Sequence, residues 1–129
     1  MLKDGATESQ IIANLRDEFL DDAGRRLEMM VETRMAASRA DGPEAEFKSF
    51  KAELHTMKGM GQSFGFASIT MISRRLEEFL KSMSADAFAD NDDVQPYLDA
   101  IHRIIDARIE LDDNELDNVL NGLAAPPLA

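Results

Sequence analysis

The run from His55 to Gly65, His-Thr-Met-Lys-Gly-Met-Gly-Gln-Ser-Phe-Gly, gathers the groups in this chain best suited to chemistry. A neutral imidazole offers a nitrogen lone pair and is a competent nucleophile. Exposed imidazoles ordinarily titrate near neutral pH, so much of the neutral form exists under physiological conditions. Lys58, three residues on, can neutralise negative oxygen as charge develops on a reacting group. Gly59 removes the side chain that would crowd the ring. A mid-helix glycine costs about 1 kcal/mol relative to alanine, which points to close approach by a partner. Gln62 either hydrogen-bonds the imidazole or a group bound to it, or is ordinary surface. The residues alone lead to a nucleophilic or acid–base histidine built for access, and they do not identify its target.

A helix must hold these groups, and the apolar spacing supplies one from about residue 43 to residue 64. Phe47, Phe50, Leu54, Met57 and Phe64 form its buried seam, with Gly61 on the same line. At about 100° per residue, His55 falls roughly 140° from the centre of that seam. Lys48, Lys51, Lys58 and Gln62 share its polar stripe. Gly65 is suited to end the helix, because glycine accepts the left-handed conformation.

The remaining apolar residues also recur at three- and four-residue steps, so the chain reads as all-α. Thr7 and Gln10 resemble a capping box opening a short first helix with Ile11, Ile12 and Leu15 on its apolar side. A second helix, continuous with the first or kinked from it, buries Phe19, Ala23, Leu27, Met30 and Val31. It stops near Ala40, before Asp41-Gly42-Pro43. A fourth helix opens near Ala67 or Ser68, with Ile69, Ile72, Leu76, Phe79, Leu80 and Met83 on one face. Arg74, Arg75, Glu77, Glu78 and Lys81 take the other. The polar, acidic segment 84–93 reads as a loop. A fifth helix follows from Asp92 or Asp93, its seam formed by Val94, Leu98, Ile101, Ile105 and Ile109. Residues 111–123 extend it or form a separate helix capped from Asp112-Asp113-Asn114. The expected architecture is an antiparallel four-helix bundle with a short N-terminal helix and a possible extra C-terminal helix. It forms one domain over 1–129, with its core over about 8–122 and a flexible tail over 124–129.

The chain has 129 residues, 44% of them hydrophobic and 30% charged, enough for one modest core under a polar surface. Its net charge is −11, and eleven acidic residues fall between Asp86 and Asp117 against only Arg103 and Arg108. Such a balance repels a phosphate backbone and argues against nucleic-acid binding. Cysteine is absent, which removes disulfides, thiolate nucleophiles and cysteine zinc sites. No apolar run is long enough to span a bilayer and no secretory leader is legible, so a cytoplasmic location without membrane attachment is expected.

His55-Thr-Met-Lys-Gly59 followed by Gly65 resembles the signature of histidine phosphotransfer domains, the relays of two-component signalling. That pattern is a histidine, any residue, a hydrophobic residue, lysine and glycine, with a further glycine six residues later. His55, Met57, Lys58, Gly59 and Gly65 match it. Phe64-Gly65-Phe66 also looks like the phosphotransfer domain of chemotaxis-type histidine kinases. The resemblance implies that a receiver aspartate donates its phosphoryl group to Nε2 of His55, which passes it to an aspartate on another receiver. Lys58 would then stabilise the phosphoryl oxygens, Gly59 would give the receiver room and Gln62 would assist orientation. Lys51 and Ser68 would contribute to docking. Partners would be response-regulator receiver domains and a hybrid histidine kinase, and the chain would act as a monomer. It would need no cofactor of its own, because magnesium belongs to the receiver. No ATP-binding segment is legible, so a phosphocarrier rather than an enzyme is expected.

Two other functions compete with this one. A degenerate bundle would bind a receiver without exchanging phosphate. A carboxylate-rich metal bundle would need paired Glu-x-x-His motifs, whereas this chain has only Asp99-x-x-His102. His102 reads as a boundary or surface residue, and the eight methionines read as core filler.

Overall fold

The structure is a computed structural model, and it describes residues 7–125. Among the described residues six α-helices follow one another: α1 (Glu8–Arg39), α2 (Glu44–Gly61), α3 (Ala67–Leu80), α4 (Ala85–Asp90), α5 (Val94–Ala107) and α6 (Asp113–Asn121). Among the described residues there is no strand, and no helix is long and apolar enough to cross a membrane. Helices α1, α2, α3 and α5 form the expected bundle, and cross-helix pairs show that neighbours run antiparallel. Phe19 stacks on Phe64 while Arg26 further along α1 reaches Glu53 in α2. Thr70 bonds to Lys58 near one end of the α2–α3 pair, whereas Glu77 meets His55 further down. Phe79 stacks on Tyr97, and Ser68 at the start of α3 bonds to Glu110 just beyond α5.

The sequence left open whether the leading helix stands apart, and it does not. α1 runs unbroken for 32 residues from a Thr7–Gln10 capping box. Residues 8–18 are all exposed, so Ile11, Ile12 and Leu15 lie on an overhang beyond the core rather than in it. From Phe19 onward, Phe19, Ala23, Leu27 and Met30 of the expected seam are at 3% exposure or less, Val31 is half-buried, and Leu20, outside that seam, is buried with them.

The segment expected as a loop over 84–93 contains α4, capped by the Ser84 side chain accepting from the Ala87 N–H. A six-residue helix cannot hold itself together. It is held by Phe88, which is fully buried with its ring 4.7 Å from Phe47 and 4.9 Å from Phe50. Burying that ring contributes about 2–3 kcal/mol, enough to order a single turn of helix around it.

α5 ends earlier than its apolar seam suggested. Arg108 takes a left-handed conformation at φ 57°, and Ile109 beyond it is 69% exposed. Residues 111–123 hold a separate helix, α6, opened by a capping box between Asp112 and Glu115. The tail expected over 124–129 lies outside the described residues from residue 126 on. Ala124 is anchored, its carbonyl accepting from the Tyr97 hydroxyl.

Candidate phosphoacceptor site

The seam of α2 is buried as its spacing requires, with Phe50, Leu54 and Met57 at 1% exposure or less. His55 stands on the opposite side with its side chain 73% exposed. α2 gives way after Gly61 to a 3-10 turn over Gln62–Phe64, which closes at Gly65 with φ 86°. That change of pitch leaves Phe64 half-buried against Phe19 instead of in the α2 seam. Gly61 is required by close packing: a Cβ there would stand 2.7 Å from Thr70 Oγ1 and 2.9 Å from both the Phe66 carbonyl oxygen and the Thr70 nitrogen. Gly59 has the opposite surroundings, with no atom within 4 Å of an added Cβ.

The ring of His55 has a partner on the neighbouring helix. Its Nδ1 lies 3.1 Å from Oε2 of Glu77 on α3, and Oε1 of the same carboxylate lies 2.7 Å from Lys58 Nζ. One carboxylate thus gathers the imidazole and the ammonium. Partial burial pushes the Glu77 carboxyl up, but hydrogen bonds from Lys58 and His55 outweigh it and hold it below the ordinary carboxylate value. At neutral pH Glu77 is therefore an ionised group that can only accept, so the proton in this contact sits on Nδ1. In the neutral ring this leaves the lone pair on Nε2, the nitrogen that Glu77 does not engage. A cleft of about 450 Å³ opens beside the ring, bordered by Lys51, Lys58, Glu77 and Lys81. That is ample for a tetrahedral anion. A larger groove of about 580 Å³ between α5 and α6 carries only Asp99 and Arg103 as charged groups and lies away from this cluster.

Helical spacing alone does not show Glu77, which it puts among the outward polar residues of α3. Thr70, Ser73 and Glu77 nevertheless recur at three- and four-residue steps, and Thr70 and Ser73 are buried. A polar line on an inward face signals polar contact with a neighbouring helix.

The other expected site residues divide. Lys51 is exposed one turn before His55, its Nζ 4.1 Å from the centre of the Phe47 ring. Gln62 is exposed, and among the described residues no hydrogen bond joins its side chain to His55. Gly65 makes the turn into α3, with Arg16 filling the space beside it. Ser68 is the correction. It is 1% exposed, and both its hydroxyl and its N–H donate to the Glu110 carboxylate, which covers the first turn of α3, so Ser68 offers nothing to a docking surface. His102 is exposed and lies 3.5 Å from Asp106 rather than joining Asp99, which accepts from Gln95. Among the described residues, no three His, Asp or Glu side chains converge to hold a metal ion.

A family model described as Hpt domain matches residues 14–123 of the chain. No curated protein and no solved structure matches it.

Proposed function

The chain belongs to the Hpt domain family and so has a phosphotransfer-related role in two-component signalling; on that premise we propose that His55 relays a phosphoryl group between receiver-domain aspartates. Hpt domains are phosphocarrier modules that interact with the receiver and kinase domains of these systems. The observation that carries the finer reading is the shared carboxylate, with His55 Nδ1 on one oxygen of Glu77 and Lys58 on the other.

The chemistry follows from that arrangement. The Nε2 lone pair attacks the phosphorus of an aspartyl phosphate. The N–P bond forms, the acyl P–O bond breaks, and the receiver's carboxylate leaves with the bonding pair. The ring keeps its Nδ1 proton and gains positive charge, which the Glu77 carboxylate stabilises. Lys58, beside the ring, offsets negative charge on the phosphoryl oxygens, exchanging part of its contact with Glu77 for them. Gly59 leaves the approach open, and Lys51 and Gln62 border it. Transfer onward reverses each step, with an aspartate of a second receiver as nucleophile. The partners are response-regulator receivers and a hybrid histidine kinase. The receiver contributes the aspartate and its magnesium ion, and this chain acts as a cytoplasmic monomer that carries the group without cleaving ATP.

The test is transfer from labelled phospho-receivers of the source organism. Label should move to the chain and then to a second receiver, and His55→Gln should take none. Binding without labelling would reduce the chain to a receiver-binding module. Labelling retained by His55→Gln would overturn the site.

A further inference from the structure

Lys58 C=O and Gln62 N–H stand four residues apart at the last turn of α2, where an ordinary helical bond would join them. Both bond to one hydroxyl on the neighbouring helix: Thr70 Oγ1 donates to the Lys58 carbonyl at 2.8 Å and accepts from the Gln62 N–H at 2.7 Å. Thr70 is only 5% exposed, and Gly61 packs against it so closely that no side chain fits between them. Two turns further along α3, on the same face, stands Glu77. Among the described residues, the side-chain hydrogen bonds joining α3 to the α2 segment come from Thr70 and Glu77 alone.

We propose that Thr70 is a positioning residue for phosphotransfer: its hydroxyl fixes the register of α3 on the last turn of α2, so that Glu77 meets His55 Nδ1 and Lys58 Nζ together. This rests on the phosphotransfer reading of His55 and deepens it. Lys58 is held at both ends, its backbone carbonyl by Thr70 and its ammonium by Glu77. The carboxylate two turns away has one narrow position from which both of its oxygens find their partners. A slide or rotation of α3 on α2 by a fraction of an ångström lengthens one contact or the other. The effect reaches His55 through its tautomer, because the ring keeps its proton on Nδ1 only while the carboxylate stays in reach.

Thr70→Val keeps the shape and removes the hydroxyl. The Lys58 carbonyl and the Gln62 N–H lose that hydroxyl but are an i, i+4 pair able to close on each other as an ordinary helical bond, so the variant should fold. Two measurements follow. Imidazole nitrogen NMR of the unphosphorylated protein reports the His55 tautomer without any receiver, so it stands whether or not phosphotransfer occurs. Single-turnover transfer from a phospho-receiver reports the limiting rate and the half-saturating receiver concentration. In Thr70→Val the Nδ1–H fraction should fall, and the limiting rate should drop about tenfold with half-saturation unchanged. Thr70→Ser, which restores the hydroxyl without the methyl, should recover both. A folded Thr70→Val with the wild-type tautomer or the wild-type rate overturns the proposal. So does a Thr70→Ser as impaired as Thr70→Val, which would assign the effect to methyl packing. Thr70→Ala serves as the second hydroxyl-free variant, read by the same criteria if the valine form does not fold. A wild-type chain that takes no label from any receiver refutes the phosphotransfer reading instead, and the tautomer comparison still decides the role of Thr70.

Discussion

Glu77 and His55 stand 22 residues apart on different helices, yet the carboxylate of one lies 3.1 Å from Nδ1 of the other. The contact gives the exposed imidazole a defined orientation and tautomer, which free rotation on a surface helix would deny it. Its consequences extend to rate and pH dependence.

Removing the carboxylate should slow the histidine without unfolding the bundle. Glu77→Ala is expected to lower the single-turnover transfer rate roughly ten- to a hundredfold, the range for groups that orient a working imidazole. Loss of repulsion toward the arriving phosphoryl group acts the other way. It is weaker, because the phosphoryl group arrives at Nε2 rather than at the nitrogen Glu77 holds, and water around the mostly exposed ring screens it. Stopped-flow measurement with a phospho-receiver checks the direction, and an unchanged or faster rate would deny Glu77 this role.

Lys58 should act on the transition state more than on docking. Lys58→Met is expected to cut the limiting rate by about a hundredfold, the scale for losing one donor to developing anionic charge. The half-saturating receiver concentration should change little. A variant that weakens half-saturation while keeping the limiting rate would make Lys58 a docking residue instead.

The acid limb has a defined sign. The folded Glu77 carboxyl is held below its ordinary value, so its stabilising contribution is fully present above the ordinary carboxylate range and is lost as pH falls through the folded value. A carboxyl-carbon NMR titration should place the Glu77 midpoint below that of an unfolded peptide. In Lys58→Met one lowering partner disappears while burial still pushes upward, so the midpoint should rise. A midpoint that stays put would mean that the lysine does not hold the carboxylate in solution.

Two glycines two residues apart should respond oppositely to a methyl group. Gly61→Ala drives a Cβ against the Thr70 and Phe66 backbone and should destabilise the fold by about 1–3 kcal/mol. Gly59→Ala meets no atom and should stabilise α2 by up to about 1 kcal/mol. The same methyl stands beside His55, so it should also raise the receiver concentration needed for half-maximal transfer. Denaturant unfolding and transfer kinetics on both variants separate the two effects.

Much of this arrangement is legible along the chain, because it is local. The periodicity of Phe47, Phe50, Leu54 and Met57 determines which side of α2 is buried, and His55 must then face out. Contacts between helices are another matter. Glu77 looks like any outward polar residue until α2 is laid beside α3. Ser68 looks like an available hydroxyl until Glu110, 42 residues on, folds back over it. The helix around Phe88 hides in an acidic stretch because one aromatic ring, not a repeating pattern, holds it. The overhang of α1 misleads in the other direction: Ile11, Ile12 and Leu15 follow the spacing of a buried face where the bundle has already ended.

The most direct test is to locate the phosphoryl group on the chain after transfer, by phosphorus–nitrogen correlation NMR on protein with labelled histidine. The account predicts a single phosphorus bonded to Nε2 of His55, with the proton retained on Nδ1 facing Glu77. Phosphorus on Nδ1, on His102, or on no histidine at all would contradict it.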